Sequence, residues 1–467
     1  MRDLAYLKLL SREYPNIRAA ASDIINLQAI CGLPKGTEYF FSDLHGEHEA
    51  FIYLLRSSSG IIREKIRETF GHIISEEDEV RLANLIYYPE KMINQIKQAN
   101  EYTEDWQKTA VYRLVQICRE VSSKYTRSKV RKKMPKEFSG VIDELLYVDN
   151  TDDNKTEYYS ELINTLIDVR VADSFIVVIC SLIRSLTIDN LHILGDIFDR
   201  GPRPDIILEE LMHFHDVDIQ WGNHDISWMG AATGNRACIC NVLRMALGYN
   251  GFDVLEDGYG INLRPLSMFA ERVYRDDPCT CFLPQILDKN IYDAVDPKLA
   301  AKMHKAIAVL QYKEEGQIIK RHPEYGMEER ILLSAIRYDR GTVTIDGKEY
   351  PMRDMNFPTV DPADPLRLTD EEEELLHTLE LSFRHNARLH EHVRFLYSNG
   401  SMYKCCNSNL LYHGCIPMTE NREFDGLMVG GKMYRGKELM DFIDTQVKNA
   451  YFLPEDAPEK EACRDFM

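Results

Sequence analysis

The sequence predicts an α/β protein whose short strands end in polar turns and pass directly into helices. Three segments carry this reading. Tyr39-Phe40-Phe41-Ser42 runs into Asp43-Leu44-His45-Gly46 and then a helical pattern from Glu47 through Phe51, Leu54 and Leu55. Leu191-His192-Ile193-Leu194 runs into Gly195-Asp196-Ile197-Phe198-Asp199-Arg200-Gly201, after which Pro204 opens a helix carrying Ile207, Leu208 and Leu211. Val217-Asp218-Ile219-Gln220-Trp221 stops at Gly222-Asn223-His224-Asp225. A fourth apolar run, Asn409-Leu410-Leu411-Tyr412, stops at His413-Gly414. Apolar runs that end abruptly in ligand-type residues are what a sheet presenting its strand ends to a site looks like.

The stretch from Asp43 to Asp196 far exceeds the ~30 residues that a strand, helix and strand require. It reads helically. Ser75 can cap a helix with Asp78 at its third position, and Pro89 stops it. Thr103 caps another, in which Val111, Leu114, Val115, Cys118 and Val121 follow the helical period. A basic run within it, Lys124, Arg127, Lys129, Arg131, Lys132, Lys133 and Lys136, reads as a solvated face, the sharper alternative being a docking patch for an acidic partner. The stretch from His224 to His413 mixes helix with a hairpin over 342–350, where Asp346-Gly347 is the turn signal. The acidic cluster Asp370 to Glu374 starts a surface helix, because carboxylates favour a first turn.

Composition bounds the function. In 467 residues, 56 Lys and Arg face 75 Asp and Glu, a formal charge of −19, so nonspecific attraction to nucleic acid is a poor default. No apolar run approaches the ~18 residues of a membrane span. The first residues, Met1-Arg2-Asp3-Leu4-Ala5-Tyr6-Leu7-Lys8, are interrupted by charge and lack a signal-peptide core, so a cytoplasmic location is expected. The eleven cysteines lack zinc-knuckle spacing and read as reduced thiols. An anionic substrate would need a metal or a local Arg.

The strand-end residues could supply both. Asp43 and His45 can aim an oxygen and an imidazole nitrogen at one ion. Asp196, whose carboxylate offers about four lone-pair sites, is placed to bridge two cations. Arg200 offers a planar fork that suits phosphate. Asn223 is an acceptable hard ligand, and His413 is a further imidazole ligand. His224 can reach a substrate, with Asp199 as the partner that would raise its pKa.

In this order, Asp-X-His-Gly, Gly-Asp-X-X-Asp-Arg-Gly, Gly-Asn-His-Asp and a later strand-final His resemble the calcineurin-like metallophosphoesterases. The residues Arg200-Gly201 and His413-Gly414 are similar to the phosphoprotein-phosphatase branch. With about 120 residues inserted into the core, and with the segments Gly36 to Phe51 and Trp221 to Ile226, the chain resembles the class 3 fructose-1,6-bisphosphatases along its whole length.

That resemblance implies a β-sandwich flanked by helices. It divides the chain into a first core part at 1–59, a helical insertion at 60–185, a second core part at 186–250, a mixed helical and hairpin insertion at 251–400, and a third, incomplete core part at 401–467. It implies one Mn²⁺ on Asp43, His45 and Asp196 and a second on Asp196, Asn223 and His413. Arg200 would bind substrate, and His224 with Asp199 would protonate the leaving group. The substrate would be a small sugar bisphosphate, hydrolysed in gluconeogenesis without nucleic-acid or membrane partners, and a homo-oligomer is left open. A phosphoprotein or nucleotide phosphatase on the same core is the alternative. The resemblance also implies a further metal-binding His after His413, and none follows Gly414. The expectation is therefore a chain truncated at its C-terminus, missing part of the core and lacking a closing helix, with an inactive fragment as the remaining alternative.

Overall fold

The computed structural model describes residues 2–147, 153–285 and 296–467. Parts of the two predicted insertions, 148–152 and 286–295, lie outside the described residues. The chain divides into two compact units, one of Met1–Tyr39 with Tyr53–Asn190 and one of Phe40–Ile52 with Leu191–Met467.

The first unit is helical. Ser75 Oγ accepts the Asp78 N–H at 3.1 Å and Thr103 Oγ1 accepts that of Trp106 at 3.2 Å, so both expected caps form. Helix Glu76–Tyr87 ends before Pro89, which opens the next helix, Pro89–Gln98, since its missing N–H costs nothing in a first turn. The periodic face of helix Glu104–Ser122 packs on helix Ala172–Thr187, and Leu114, Cys118, Phe175 and Ile179 are fully buried there. The basic run is spent largely inside this unit. Lys129 and Lys133 hold Asp189 at 2.5 and 3.1 Å, Lys124 donates to Thr37, and Arg131 grips Asp143.

The described strands are β1 (Glu38–Phe41), β2 (Asn190–Ile193), β3 (Val217–Gln220), β4 (Ile336–Arg337), β5 (Thr342–Ile345), β6 (Lys348–Pro351), β7 (Gly400–Ser401), β8 (Tyr403–Cys406), β9 (Asn409–Tyr412), β10 (Gly426–Val429) and β11 (Lys432–Arg435). The central sheet has the order β1-β2-β3-β7, with β2 to β3 and β3 to β7 parallel. Strand β3 is buried throughout, as expected of a parallel strand covered on both faces.

The α/β class holds, but the described residues do not build the expected β-sandwich. The second large sheet it needs is absent, because the other strands pair only as β4-β5-β6, β8-β9 and β10-β11. The helices Pro297–Arg321 and Asp370–Arg384 lie in the stretch expected to mix helix with a hairpin. The run before His413 is a strand, β9, but it pairs antiparallel with β8 and not with the central sheet. The predicted hairpin forms as β5-β6, with Asp346 and Gly347 both at positive φ.

The acidic helix starts where expected, at the capping box of Thr369 and Glu372, with Asp370, Glu371, Glu373 and Glu374 exposed and Glu372 buried against Lys313 at 2.7 Å. One further expectation needs correction. The C-terminal residues do close with a helix, Lys460–Phe466. Cys463 is buried, Phe466 packs edge-on against Phe442, and Lys460 donates to the Leu453 carbonyl. Seven residues are too few to display a helical period in sequence.

Glu314, on the long helix Pro297–Arg321, is 7% exposed, and burial pushes its carboxyl up to about 7, with Arg236 opposing and Glu373 adding to the rise. Arg321 and Asp465 also act on it. A carboxyl raised above its unfolded value of 4.5 contributes stability below that pH and loses it as pH rises through 7. Glu314→Gln is therefore expected to stabilise the protein at pH 8, by up to about 3 kcal/mol, and to change little at pH 5. Denaturant midpoints at the two pH values check this.

Candidate active site

The turns that follow β1 and β2 are joined by their backbones. The N–H groups of Asp43, His45 and Gly46 donate to the carbonyls of Gly195, Asp196 and Ile197, and Gly201 N–H returns to the His45 carbonyl at 2.7 Å. This pairing holds Asp43, His45, Asp196, Asp199 and Arg200 at positive φ, between 43° and 70°. Non-glycine residues rarely adopt that region, and clusters of them mark sites whose side-chain directions are imposed by the surroundings.

Asp225 locks the same turns from beneath. Its carboxylate accepts the N–H groups of Asp196 and Ile197 at 2.9 Å each and that of Gly222 at 3.0 Å. It is fully buried, and burial pushes its carboxyl up to about 6 although the Gly222, Ile197 and Asp196 amides pull the other way. Space at the centre is tight enough to require glycine. A Cβ on Gly222 would lie 2.1 Å from Asp196 Oδ1, and one on Gly195 would lie 2.7 Å from His413 Nδ1.

Asp43, His45, Asp196 and His413 gather here. His45 Nδ1 meets the Phe198 carbonyl at 3.1 Å, and His413 Nδ1 meets the Leu194 carbonyl at 2.6 Å, so each ring donates from Nδ1 and keeps Nε2 as the acceptor. Those Nε2 atoms lie 3.9 and 3.2 Å from Asp196 Oδ2. Two donor groups result, Asp43 with Asp196 and His413, and His45 with Asp196 and His224, with all ligand atoms in each group within 4.8 Å of one another. Asp196 belongs to both. Two carboxylates and the imidazoles of His45 and His413, converging with their acceptor atoms inward, fit a divalent cation, which neutralises the carboxylates and takes up the nitrogens.

The grouping differs in detail from the expected one. His413 falls with Asp43, and His224 falls among the ligand-type residues. Asn223 opens the helix Asn223–Thr233 and is exposed, and among the described residues no hydrogen bond ties its side chain to the cluster. Arg200 is exposed, and its charge acts on His224.

His224 and Asp199 pair as expected, Nδ1 to Oδ2 at 2.6 Å. That bond raises the imidazole above its ordinary pKa against the opposing effect of burial. The other Asp199 oxygen accepts from Trp228 Nε1 at 2.9 Å, and the Trp228 ring stacks on Phe198 at 4.6 Å. Trp228 was not foreseen, although it lies four residues after His224, one helical turn away and on the same face. Trp228→Phe keeps the stack and removes only the N–H. It is expected to lower kcat about tenfold with KM within twofold, the cost of one buried bond to a charged group. Steady-state kinetics at saturating metal check this.

A carboxylate shared between two donor clusters, beside an imidazole held by a buried aspartate, belongs with the hydrolytic enzymes that act on phosphate esters. A family model described as Firmicute fructose-1,6-bisphosphatase matches residues 5–467, and the chain belongs to that family. The resemblance to the class 3 fructose-1,6-bisphosphatases is borne out. Curated relatives named class 3 fructose-1,6-bisphosphatase include those of Clostridium tetani, 51% identical over 465 residues, and Bacteroides fragilis, 50% identical over 466 residues. Each alignment covers 100% of this chain and 70% of the relative. The family match runs through residue 467, and the chain spans about 70% of the length of these relatives. No solved structure matches the chain. No described helix is long and apolar enough to cross a membrane.

Proposed function

We propose that this chain hydrolyses the 1-phosphate of D-fructose 1,6-bisphosphate, giving fructose 6-phosphate and phosphate in gluconeogenesis, at a centre for two Mn²⁺ ions. The observation that carries the reading is Asp196, whose carboxylate is common to both donor groups. Asp43, His45 and Asp196 would hold one ion, and Asp196, Asn223 and His413 the other. The mixed oxygen and imidazole set suits Mn²⁺. Bound divalent ions supply charge neutralisation for the phosphate and lower the pKa of water.

The chain's own residues do the rest. The backbone bonds of His45 and His413 fix their rings. Arg200 offers its fork to phosphate oxygens. Asp199, itself held by Trp228, fixes Nδ1 of His224 and favours the protonated ring, so that Nε2 can deliver a proton to the departing C1 oxygen. The core is read as calcineurin-like in three parts, 1–59, 186–250 and 401–467, interrupted by insertions at 60–185 and 251–400, and the enzyme as cytoplasmic.

The test is phosphate release from a panel of substrates with Mn²⁺, before and after chelation. Rapid hydrolysis of fructose 1,6-bisphosphate, lost on chelation and restored by Mn²⁺, is expected. Turnover of phosphopeptides or nucleotides without turnover of the bisphosphate would overturn the sugar assignment.

A further inference from the structure

Trp228, which holds Asp199, is itself held. Its ring stacks on Phe198 at 4.6 Å, with Tyr259 tilted against it at 5.3 Å and Phe383 at 6.2 Å. Trp228 and Phe383 are fully buried, and Tyr259 is 5% exposed. This apolar cluster has a second polar contact besides the Trp228 N–H. Tyr259 Oη meets His392 Nδ1 at 2.9 Å, and His392 is 1% exposed. Burial pushes the Tyr259 phenol well up and the His392 imidazole down, Arg388 adding to the latter, so the phenol donates and the neutral ring accepts.

We propose that Tyr259 and His392 are positioning residues for the proton donor. They fix the Trp228 ring, Trp228 fixes Asp199, and Asp199 fixes His224. The inference rests on reading His224 as the group that protonates the leaving oxygen. The backbone at Tyr259 is shaped for the contact. It follows a π-helical turn, Val254–Gly258, a geometry frequent at functional positions. Helix Ala387–Asn399 then grips the segment three times. Its cap, Asn386, donates to the Tyr259 carbonyl, Arg388 donates to the Gly258 carbonyl, and His392 receives the phenol. Two apolar side chains of the same shape would fill this space at little cost, whereas a buried hydrogen bond fixes direction. Direction is what the Trp228 N–H needs in order to stay on Asp199.

The test compares turnover of fructose 1,6-bisphosphate and of p-nitrophenyl phosphate by the full chain with Mn²⁺. A sugar alkoxide needs a proton as it departs, and p-nitrophenolate does not. The ratio of the two rates is also independent of the fraction of chain that is folded. Tyr259→Phe keeps the ring and removes the hydroxyl. It is expected to lower kcat for the bisphosphate about fivefold, and His392→Leu about tenfold, with KM within about twofold and with p-nitrophenyl phosphate losing less than about twofold. His392→Asn, which returns an acceptor near the Nδ1 position, is expected to recover most of the loss seen with Leu. Equal losses on both esters, or no loss on either, would overturn the proposal. A parent chain that turns over p-nitrophenyl phosphate but not the bisphosphate would overturn the sugar assignment instead, and a phosphoserine peptide, also an alkyl phosphate, then takes the place of the bisphosphate in the ratio.

Discussion

Asp196→Asn is expected to reduce turnover by roughly 10³- to 10⁴-fold while leaving the chain folded. The side chain is 6% exposed, meets both His413 and His45 through Oδ2, and accepts the His224 backbone N–H at 3.2 Å through Oδ1. The amide is isosteric and keeps one oxygen, so packing survives. It also removes the charge that both donor groups share, which should weaken two ions and not one. Calorimetric titration with Mn²⁺ separates this from a purely catalytic effect, since affinity should fall along with kcat. Turnover within tenfold of the parent would show that Asp196 is not the common ligand.

Asp225→Asn is expected to damage both fold and chemistry. The carboxylate is surrounded by backbone donors from Gly222, Asp196 and Ile197, and it supplies only acceptors. An amide in its place would turn N–H groups toward other N–H groups in a fully buried setting, at a cost of about 2–4 kcal/mol. The turns that carry Asp196 and His224 hang on those bonds, so turnover should fall by about 10²-fold even at saturating metal. The denaturant midpoint and kcat measured together check the pair of effects. Loss of stability with unchanged turnover would show that the turns keep their geometry by other means.

Much of the site could be read before the fold was known, because its chemistry is concentrated in a few polar residues placed directly after apolar runs. Asp43, His45, Asp196, His224 and His413 converge although they are distant in the chain. Less visible were contributions that depend on three-dimensional direction. The positive φ of Asp43 and Asp196 comes from the reciprocal pairing of two turns, which neither turn shows alone. Trp228 reads as an ordinary core residue until its N–H is seen on Asp199. Asp225 was visible within its motif but had no role there, because its partners are backbone amides and leave no mark in the sequence.

The fold was legible where signals are local. The Ser75 and Thr103 caps, Pro204 and the Asp346-Gly347 turn each act within four residues. Sheet membership is decided at long range, so β9 reads as a fourth strand ending at the site and proves to be half of a hairpin with β8. The second sheet of the sandwich depends on the same long-range pairing, and among the described residues it does not form.

The pairing of the turn at Asp43 with the turn at Asp196 has a kinetic consequence. It closes a loop of about 150 residues, and His413 must be made before the cluster is complete. Contacts of such sequence separation reward the chain only after their closure entropy has been met, so they form late. The centre should therefore assemble after the helices and hairpins around it, and refolding followed by turnover should lag refolding followed by helical signal.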